Sequence, residues 1–262
     1  MGDSTVRLLT WNLLHGGSAR RMPEITLRLL EHAPDIAVLT EFRASIGGQV
    51  AGVLADHGLT HQRRSPAAPD RNGILIASRF ELAAPAAAVG GPCPLPAKWA
   101  EADVPRLGLT LAGVHVPDDS RPTERAAYWQ FLVEYARVHG TGSCIVMGDF
   151  NSGRHKVDEA GATFGSTALL GSFCTLGFRD AYRESHPQGR ETSWVSHEGA
   201  GFRVDHAFVS KSLLPRVVGA RYSQSERLER ISDHSILLLE MEVFARDGAP
   251  RAGAGPAAPT QI

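Results

Sequence analysis

The chain has 262 residues, 43% of them hydrophobic, which is enough apolar material for one large core. A formal net charge of −1 argues against a protein that holds duplex nucleic acid mainly by counterion release, while leaving room for a local basic rim. Cys93, Cys144 and Cys174 have no CxxC spacing and point to neither a disulfide framework nor a zinc site, so a cytoplasmic setting is expected.

The run Val6 to Trp11 is apolar and β-rich and predicts a strand. A helix-like stretch opened by Pro23, carrying Ile25, Leu27, Leu29 and Leu30, leads to a second strand at Ile36 to Leu39. Gly73 to Ala77 and Leu107 to Val116 predict two more strands. Between Thr123 and Val138, Tyr128, Phe131, Leu132 and Tyr135 recur at helical spacing and predict a helix with one buried stripe. Ser143 to Met147 predicts a strand, and Thr167 to Leu176 a helix. Thr192 to Val195, Arg203 to Val209 and Ser235 to Val243 complete the predicted strands. Many strands with few long helices predict stacked sheets with helices outside and disfavour a Rossmann fold.

No charged-then-apolar leader opens the chain, and no apolar run nears the ~20 residues that span a bilayer, so neither secretion nor membrane insertion is expected. Gly248 to Pro259 is almost entirely Ala, Gly and Pro, with too little apolar surface to offset ordering entropy. We therefore expect one domain over residues 1–246 and a disordered tail over 247–262. Only Lys98, Lys156 and Lys211 among the 27 basic residues are lysines, a bias that fits a GC-rich genome better than selected arginine chemistry.

Four short polar clusters flank predicted strands: Trp11-Asn12, Thr40-Glu41, Gly148-Asp149-Phe150-Asn151 and Ser232-Asp233-His234. Strand ends deliver side chains to a rim in fixed positions, and carboxylates and amides gathered there supply hard oxygen ligands for Mg²⁺. Asp149 and Asn151 lie two apart, so in an extended segment they share a face while Phe150 turns into the core.

The segments LLTWNLL, DIAVLTE, NGILIASRF, IVMGDFN, GFRDAYRESHP, TSW, FRVDHAFVS and SDHSILLLEM, in that order, resemble the exonuclease III and abasic-site endonuclease branch of the endonuclease/exonuclease/phosphatase superfamily. The resemblance runs from Thr10 to about Glu242. It implies an α/β four-layer αββα sandwich, two mostly antiparallel sheets flanked by helices, with the site at one end. It also implies a monomeric, Mg²⁺-dependent hydrolase (Mn²⁺ as substitute) that cleaves phosphodiesters, with DNA as the substrate and DNA repair as the setting.

Carried over residue by residue, Glu41 matches the metal-binding glutamate, Asn12 the amide beside it, and Asp233 a carboxylate that completes the metal's shell. Asp149 matches the group that orients or deprotonates the attacking water, and Asn151 the amide that holds a phosphate oxygen. His234 matches the catalytic histidine and Asp205 the carboxylate that orients it, while His206 falls on the opposite face as a structural residue. Trp194 aligns with an aromatic near the DNA lesion, where it stacks on a base or simply fills the core, and Arg154 opens a basic loop that reaches flanking phosphates or is merely solvated.

His115 departs from the pattern. The exonuclease III branch usually carries tyrosine there, whereas the deoxyribonuclease I, sphingomyelinase and inositol-phosphatase branches carry histidine. It supports protonation of a leaving oxygen, or phosphate binding, while weakening abasic-site DNA as substrate. A phosphodiesterase or phosphatase acting on a lipid headgroup or small phosphoester therefore stands beside the nuclease. An inert binding module is the third possibility, disfavoured because every expected polar position is filled.

Overall fold

The computed structural model describes residues 4–85 and 91–243. The chain enters through β1 (Ser4–Asn12), α1 (Met22–Glu31), β2 (Ile36–Phe42) and α2 (Ala44–Asp56). It continues with β3 (His61–Arg64), β4 (Gly73–Ser78), β5 (Trp99–Val104) and β6 (Leu109–His115). Next come α3 (Pro122–His139), β7 (Cys144–Asp149), α4 (Thr167–Thr175), β8 (Phe178–Asp180) and α5 (Ala181–Ser185). The final elements are β9 (Trp194–Val195), β10 (Gly201–Phe202), β11 (Asp205–Ser210), β12 (Val217–Ser223), α6 (Ser225–Leu228) and β13 (Ile236–Val243). The expected tail over residues 247–262 lies outside the described residues. Among the described residues no helix is long and apolar enough to cross a membrane.

One sheet has the order β12-β13-β1-β2-β4-β3, the other β5-β6-β7-β11-β8, and β9 and β10 form a small separate ribbon. Within the two large sheets only β1/β2 and β6/β7 run parallel. Strand alternation divides the apolar residues into three layers of contact. Leu8, Val38, Leu111, Met147, Ala207 and Leu239 meet between the sheets. Leu9, Trp11 and Leu39 point the other way, onto Ile25 and Leu29 of α1 and Val50 and Leu54 of α2. Ala112, Val114, Val146 and Phe208 likewise point out, onto Tyr128, Trp129 and Leu132 of α3 and Phe173 of α4. Each fully buried large aliphatic side chain contributes on the order of 2 kcal/mol, so the four-layer αββα sandwich is held by all three interfaces.

Local chemistry sets the boundaries. Pro23 and Pro122 occupy first-turn positions of α1 and α3, where a missing N–H costs nothing. The strand expected from Leu107 starts at Leu109 because the amides of Leu107 and Gly108 both turn back to the carbonyl of Val104. Similarly, β11 begins at Asp205 rather than Arg203, whose amide bonds instead to the carbonyl of Asp158.

Candidate active site

The row of side chains that fills the space between the sheets changes character at one end. Continuing β1 from Leu8 by twos gives Thr10 and then Asn12; β6 from Leu111 gives Gly113 and His115; β7 from Met147 gives Asp149; and β11 read backward from Ala207 gives Asp205. The alternation that packs the core therefore aims four polar side chains into a single mouth. Glu41 arrives by another route: pairing of β2 with β4 slips between Thr40 and Phe42, and Glu41 takes φ +55°. A bulge of this kind re-aims a side chain.

The resulting contacts are close. The Asn12 amide nitrogen donates to Asp149 Oδ2 at 3.0 Å and reaches Glu41 Oε1 at 3.5 Å, while its oxygen accepts from the Leu14 amide at 2.9 Å. Asn12 thus bridges the two carboxylates. His115 Nε2 is 3.8 Å from Glu41 Oε1 and 3.8 Å from Asp149 Oδ2, and His234 Nε2 is 4.0 Å from that same Asp149 oxygen. His234 Nδ1 donates to Asp205 Oδ2 at 2.8 Å. The amide of Asn151, at φ +44°, donates to Asp149 Oδ1 at 2.9 Å, and its side-chain nitrogen to the Val116 carbonyl at 2.9 Å. Phe150 between them is fully buried against the helix layer.

Trp194 stands at the edge, its indole N–H donating to Asp233 Oδ2 at 3.2 Å and its ring 6.4 Å from that of His234. Arg154 is not brought to this mouth; it lines a separate surface groove with Arg183, Pro187 and Arg190. His206 faces away from Asp205, donating through Nε2 to the Ser152 carbonyl at 2.8 Å and lying 3.3 Å from Asp180.

Burial shapes the electrostatics. It pushes the Asp149 carboxyl up to about 7, with the Asp205 charge adding to that and His234 opposing it. Burial alone would depress His234, but the charge of Asp205 and its hydrogen bond outweigh it and raise the imidazole to about 10. His115 is driven the other way, well below its ordinary value, by burial and then by the neighbouring Lys98 ammonium.

Several further residues support the site from behind. Trp11 Nε1 donates to the His234 carbonyl at 3.0 Å, and the Ser232 hydroxyl to the Asn12 carbonyl at 2.6 Å, strapping the first motif to the last. Ser193 Oγ accepts from the amides of Val204 and Asp205 at 2.9 and 3.1 Å. Buried Arg125 grips the Pro117 and Asn151 carbonyls at 2.8 and 2.6 Å. A Cβ on Gly148 would lie 2.1 Å from the Val114 carbonyl oxygen, so only glycine lets β7 approach β6 here. Lys98, set 3.3 Å from His115 Nδ1, had one legible cue: it is a lysine in an arginine-rich chain.

The donor set suits a hard divalent cation. Asp149, Asp205 and Asp233 bear on the His234 imidazolium, Glu41 is bridged to Asp149 through Asn12, and the Oδ1 atoms of Asp205 and Asp233 are buried without a hydrogen-bond partner. Ligand atoms of Asp149, Asp205 and His234 all lie within 4.8 Å of one another, spacing that a metal would accept. A protonated His234 would repel a cation there, however, so the Glu41 side of the mouth fits better.

A two-sheet sandwich with such a mouth defines a class, the hydrolases that act on phosphoesters. Residues 9–234 match the Endonuclease/Exonuclease/phosphatase family, and the chain belongs to it. No curated protein sequence matches the chain. Among solved structures, the 3′ phosphatase NExo from Neisseria bound to a product DNA hairpin is similar at TM-score 0.74 and 24% identity, over 90% of this chain and 99% of that one. The 3′–5′ exonuclease NExo from Neisseria meningitidis is similar at TM-score 0.75 and 23% identity, over 90% and 99%. An AP endonuclease from Archaeoglobus fulgidus is similar at TM-score 0.74 and 20% identity, over 89% and 98%. At these identities the likeness establishes the fold.

Proposed function

We propose that the protein is a Mg²⁺-dependent phosphodiesterase acting on DNA, as an exonuclease of the exonuclease III type or an abasic-site endonuclease. The observation that carries this is the convergence of Glu41, Asn12, Asp149, His115 and the Asp205–His234 pair on one mouth. Glu41 and Asp233, with Asn12 between Glu41 and Asp149, are the residues that would hold the cation. When bound, a divalent cation polarises a phosphoryl oxygen and neutralises developing charge.

This chain's own groups supply the rest. Asp149 orients the attacking water and takes up its proton, help worth ~10²- to 10⁴-fold. Asn151 holds a phosphate oxygen. The Asp205 carboxylate fixes the His234 ring so that Nε2–H points at a non-bridging oxygen, where it donates as negative charge builds. His115 stands opposite His234 and donates to the leaving oxygen or to the phosphate. Trp194, half-exposed beside His234, offers a face for a base, and Arg154 a contact to a flanking phosphate from its separate groove. We place the catalytic domain at residues 1–246, acting as a cytoplasmic monomer in DNA repair.

DNA as substrate is supported by the product hairpin in one similar structure and by the exonuclease and AP endonuclease names of the others. His115 and the net charge of −1 favour a second reading, a phosphodiesterase or phosphatase for a lipid headgroup or small phosphoester. One panel separates them: metal-dependent rates on abasic duplex, blunt duplex, single-stranded DNA, RNA, sphingomyelin and an activated phosphodiester. The nuclease predicts a salt-sensitive, length-dependent rate on DNA; turnover confined to sphingomyelin or the small diester would overturn it.

A further inference from the structure

From Glu41 and His115 the mouth opens into a concavity of roughly 510 Å³ whose remaining walls the chemistry described above does not use. Its walls come from five separate segments, which bring Arg43, Arg71, Lys98 and Arg121 together with Glu41 and His115. Its acidic members besides Glu41 are Asp118 and Glu124, and both are already engaged. Asp118 accepts from the amide and hydroxyl of Ser120, and Glu124 lies 3.4 Å from Arg121. Arg71 lies 3.9 Å from Asp70 and Arg121 is answered by Glu124, but Lys98 and Arg43 make no ion pair among the described residues, so with Glu41 facing a cation the cavity keeps an excess of positive charge.

Lys98 is the centre of this arrangement. Its main chain is fixed on both sides, the amide donating to the Leu95 carbonyl at 2.9 Å and the carbonyl accepting from Tyr128 Oη at 2.6 Å. Its ammonium donates to His115 Nδ1 at 3.3 Å, which places the remaining ring proton on Nε2, facing Glu41 and Asp149. It makes no ion pair among the described residues, and burial depresses its pKa. The other lysines, Lys156 and Lys211, are exposed, and the other 24 basic residues are arginines. A compact ammonium with three rotatable donors fits where a planar guanidinium would need a wider fork.

We propose that this cavity is a subsite for a second phosphate of a nucleotide chain, adjacent to the one being cleaved, with Lys98 as its central donor and Arg71 and Arg121 at its rim. The assignment rests on the reading of the mouth as a phosphodiesterase and narrows it to substrates with at least two consecutive phosphates. Lys98 then serves both phosphates, the cleaved one through His115 and its neighbour directly.

The test compares thymidine trinucleotides carrying two phosphates with isomers in which one or the other linkage is a neutral methylphosphonate. Bis(4-nitrophenyl) phosphate, with a single phosphorus, is the reference. For the wild-type protein, kcat/KM for cleavage of at least one linkage should show a ratio of about ten between the doubly charged trinucleotide and the isomer whose other, uncleaved linkage is the methylphosphonate, the worth of one hydrogen bond to a charged group. Lys98→Met should bring that ratio close to one, and Lys98→Arg should restore part of it. Arg71→Ala, at an exposed side chain, should lower the same ratio and keeps the test open if Lys98→Met does not fold. A wild-type ratio near one for both isomers, or a ratio untouched by both Lys98→Met and Arg71→Ala, would overturn the subsite. So would turnover of bis(4-nitrophenyl) phosphate with none of any trinucleotide, although the phosphodiesterase would then stand. Turnover of neither substrate class would instead remove the phosphodiesterase reading itself.

Discussion

Asp205 and His206 are neighbours in the chain, yet they belong to two buried ionic clusters built on opposite principles. Behind β11, Arg203 is fully buried; its Nε donates to Asp158 at 2.8 Å and its Nη2 to Asp180 at 2.5 Å. Arg183 adds a 2.7 Å contact to the same Asp158 oxygen, so two guanidinium groups meet two carboxylates and the charge closes on itself. At the mouth, Asp149, Asp205 and Asp233 bear on the imidazolium of His234, and Glu41 and Asp149 on the Lys98 ammonium, so the carboxylates outnumber the cations. Burying a charge is costly unless it is paired. A balanced cluster is complete as it stands, whereas an unbalanced one is built for a cation and a substrate that arrive from solution.

The largest effects should separate the clusters by what they damage. Glu41→Ala and His234→Ala should each lower the hydrolytic rate by ~10²- to 10⁴-fold, with circular dichroism and melting behaviour close to wild type for Glu41→Ala. A Glu41→Ala protein of full activity would contradict the role given to the mouth. Asp180→Asn should do the reverse and cost about 3–5 kcal/mol of stability, a fall in Tm of roughly 10 °C, because it leaves Arg203 half-paired.

The same carboxylates set an acid limit. Burial alone would raise Asp158 and Asp180, but the Arg203 charge overrides it and holds both below the usual carboxylate range. A folded pKa below the unfolded one means the stabilisation is complete above about pH 4 and is lost as pH falls through the folded value. Denaturant titrations from pH 5 down to pH 2 should therefore show a steep loss in the wild type and a shallower one in Asp180→Asn. Parallel curves would assign the acid limit elsewhere. A smaller effect sharpens the contrast further: Mg²⁺ at 100 times its Kd should stabilise the wild type by about 2.7 kcal/mol. Asp180→Asn should keep that increment and Glu41→Ala should lose it, as read by thermal shift with and without chelator.

The sequence exposed these parts unevenly, for physical reasons. Central strands β1, β2, β4, β6, β7, β11 and β13 are apolar runs and were legible. The edge strands β3, β5, β8 and β12 were not, because one face of each meets solvent; Trp99–Val104, for example, carries Glu101 and Asp103. Helix α2 was hidden by glycine, since Gly47 sits under Phe42 where a Cβ would come within 2.3 Å of the ring. At the mouth, alternation explains how Asn12, Asp149 and Asp205 come together, while the bulge that aims Glu41 depends on strand pairing and has no local signature. Lys98 acquires its place only when the turn at residues 96–98 meets β6.

The central claim is that a cation belongs at Glu41 and not beside Arg203. Crystals soaked in Mn²⁺ and measured at the manganese edge test it directly. An anomalous peak about 2.1 Å from a Glu41 carboxylate oxygen is the predicted result. A fully exchanged crystal with no peak at Glu41, or with its only peak elsewhere, would contradict it.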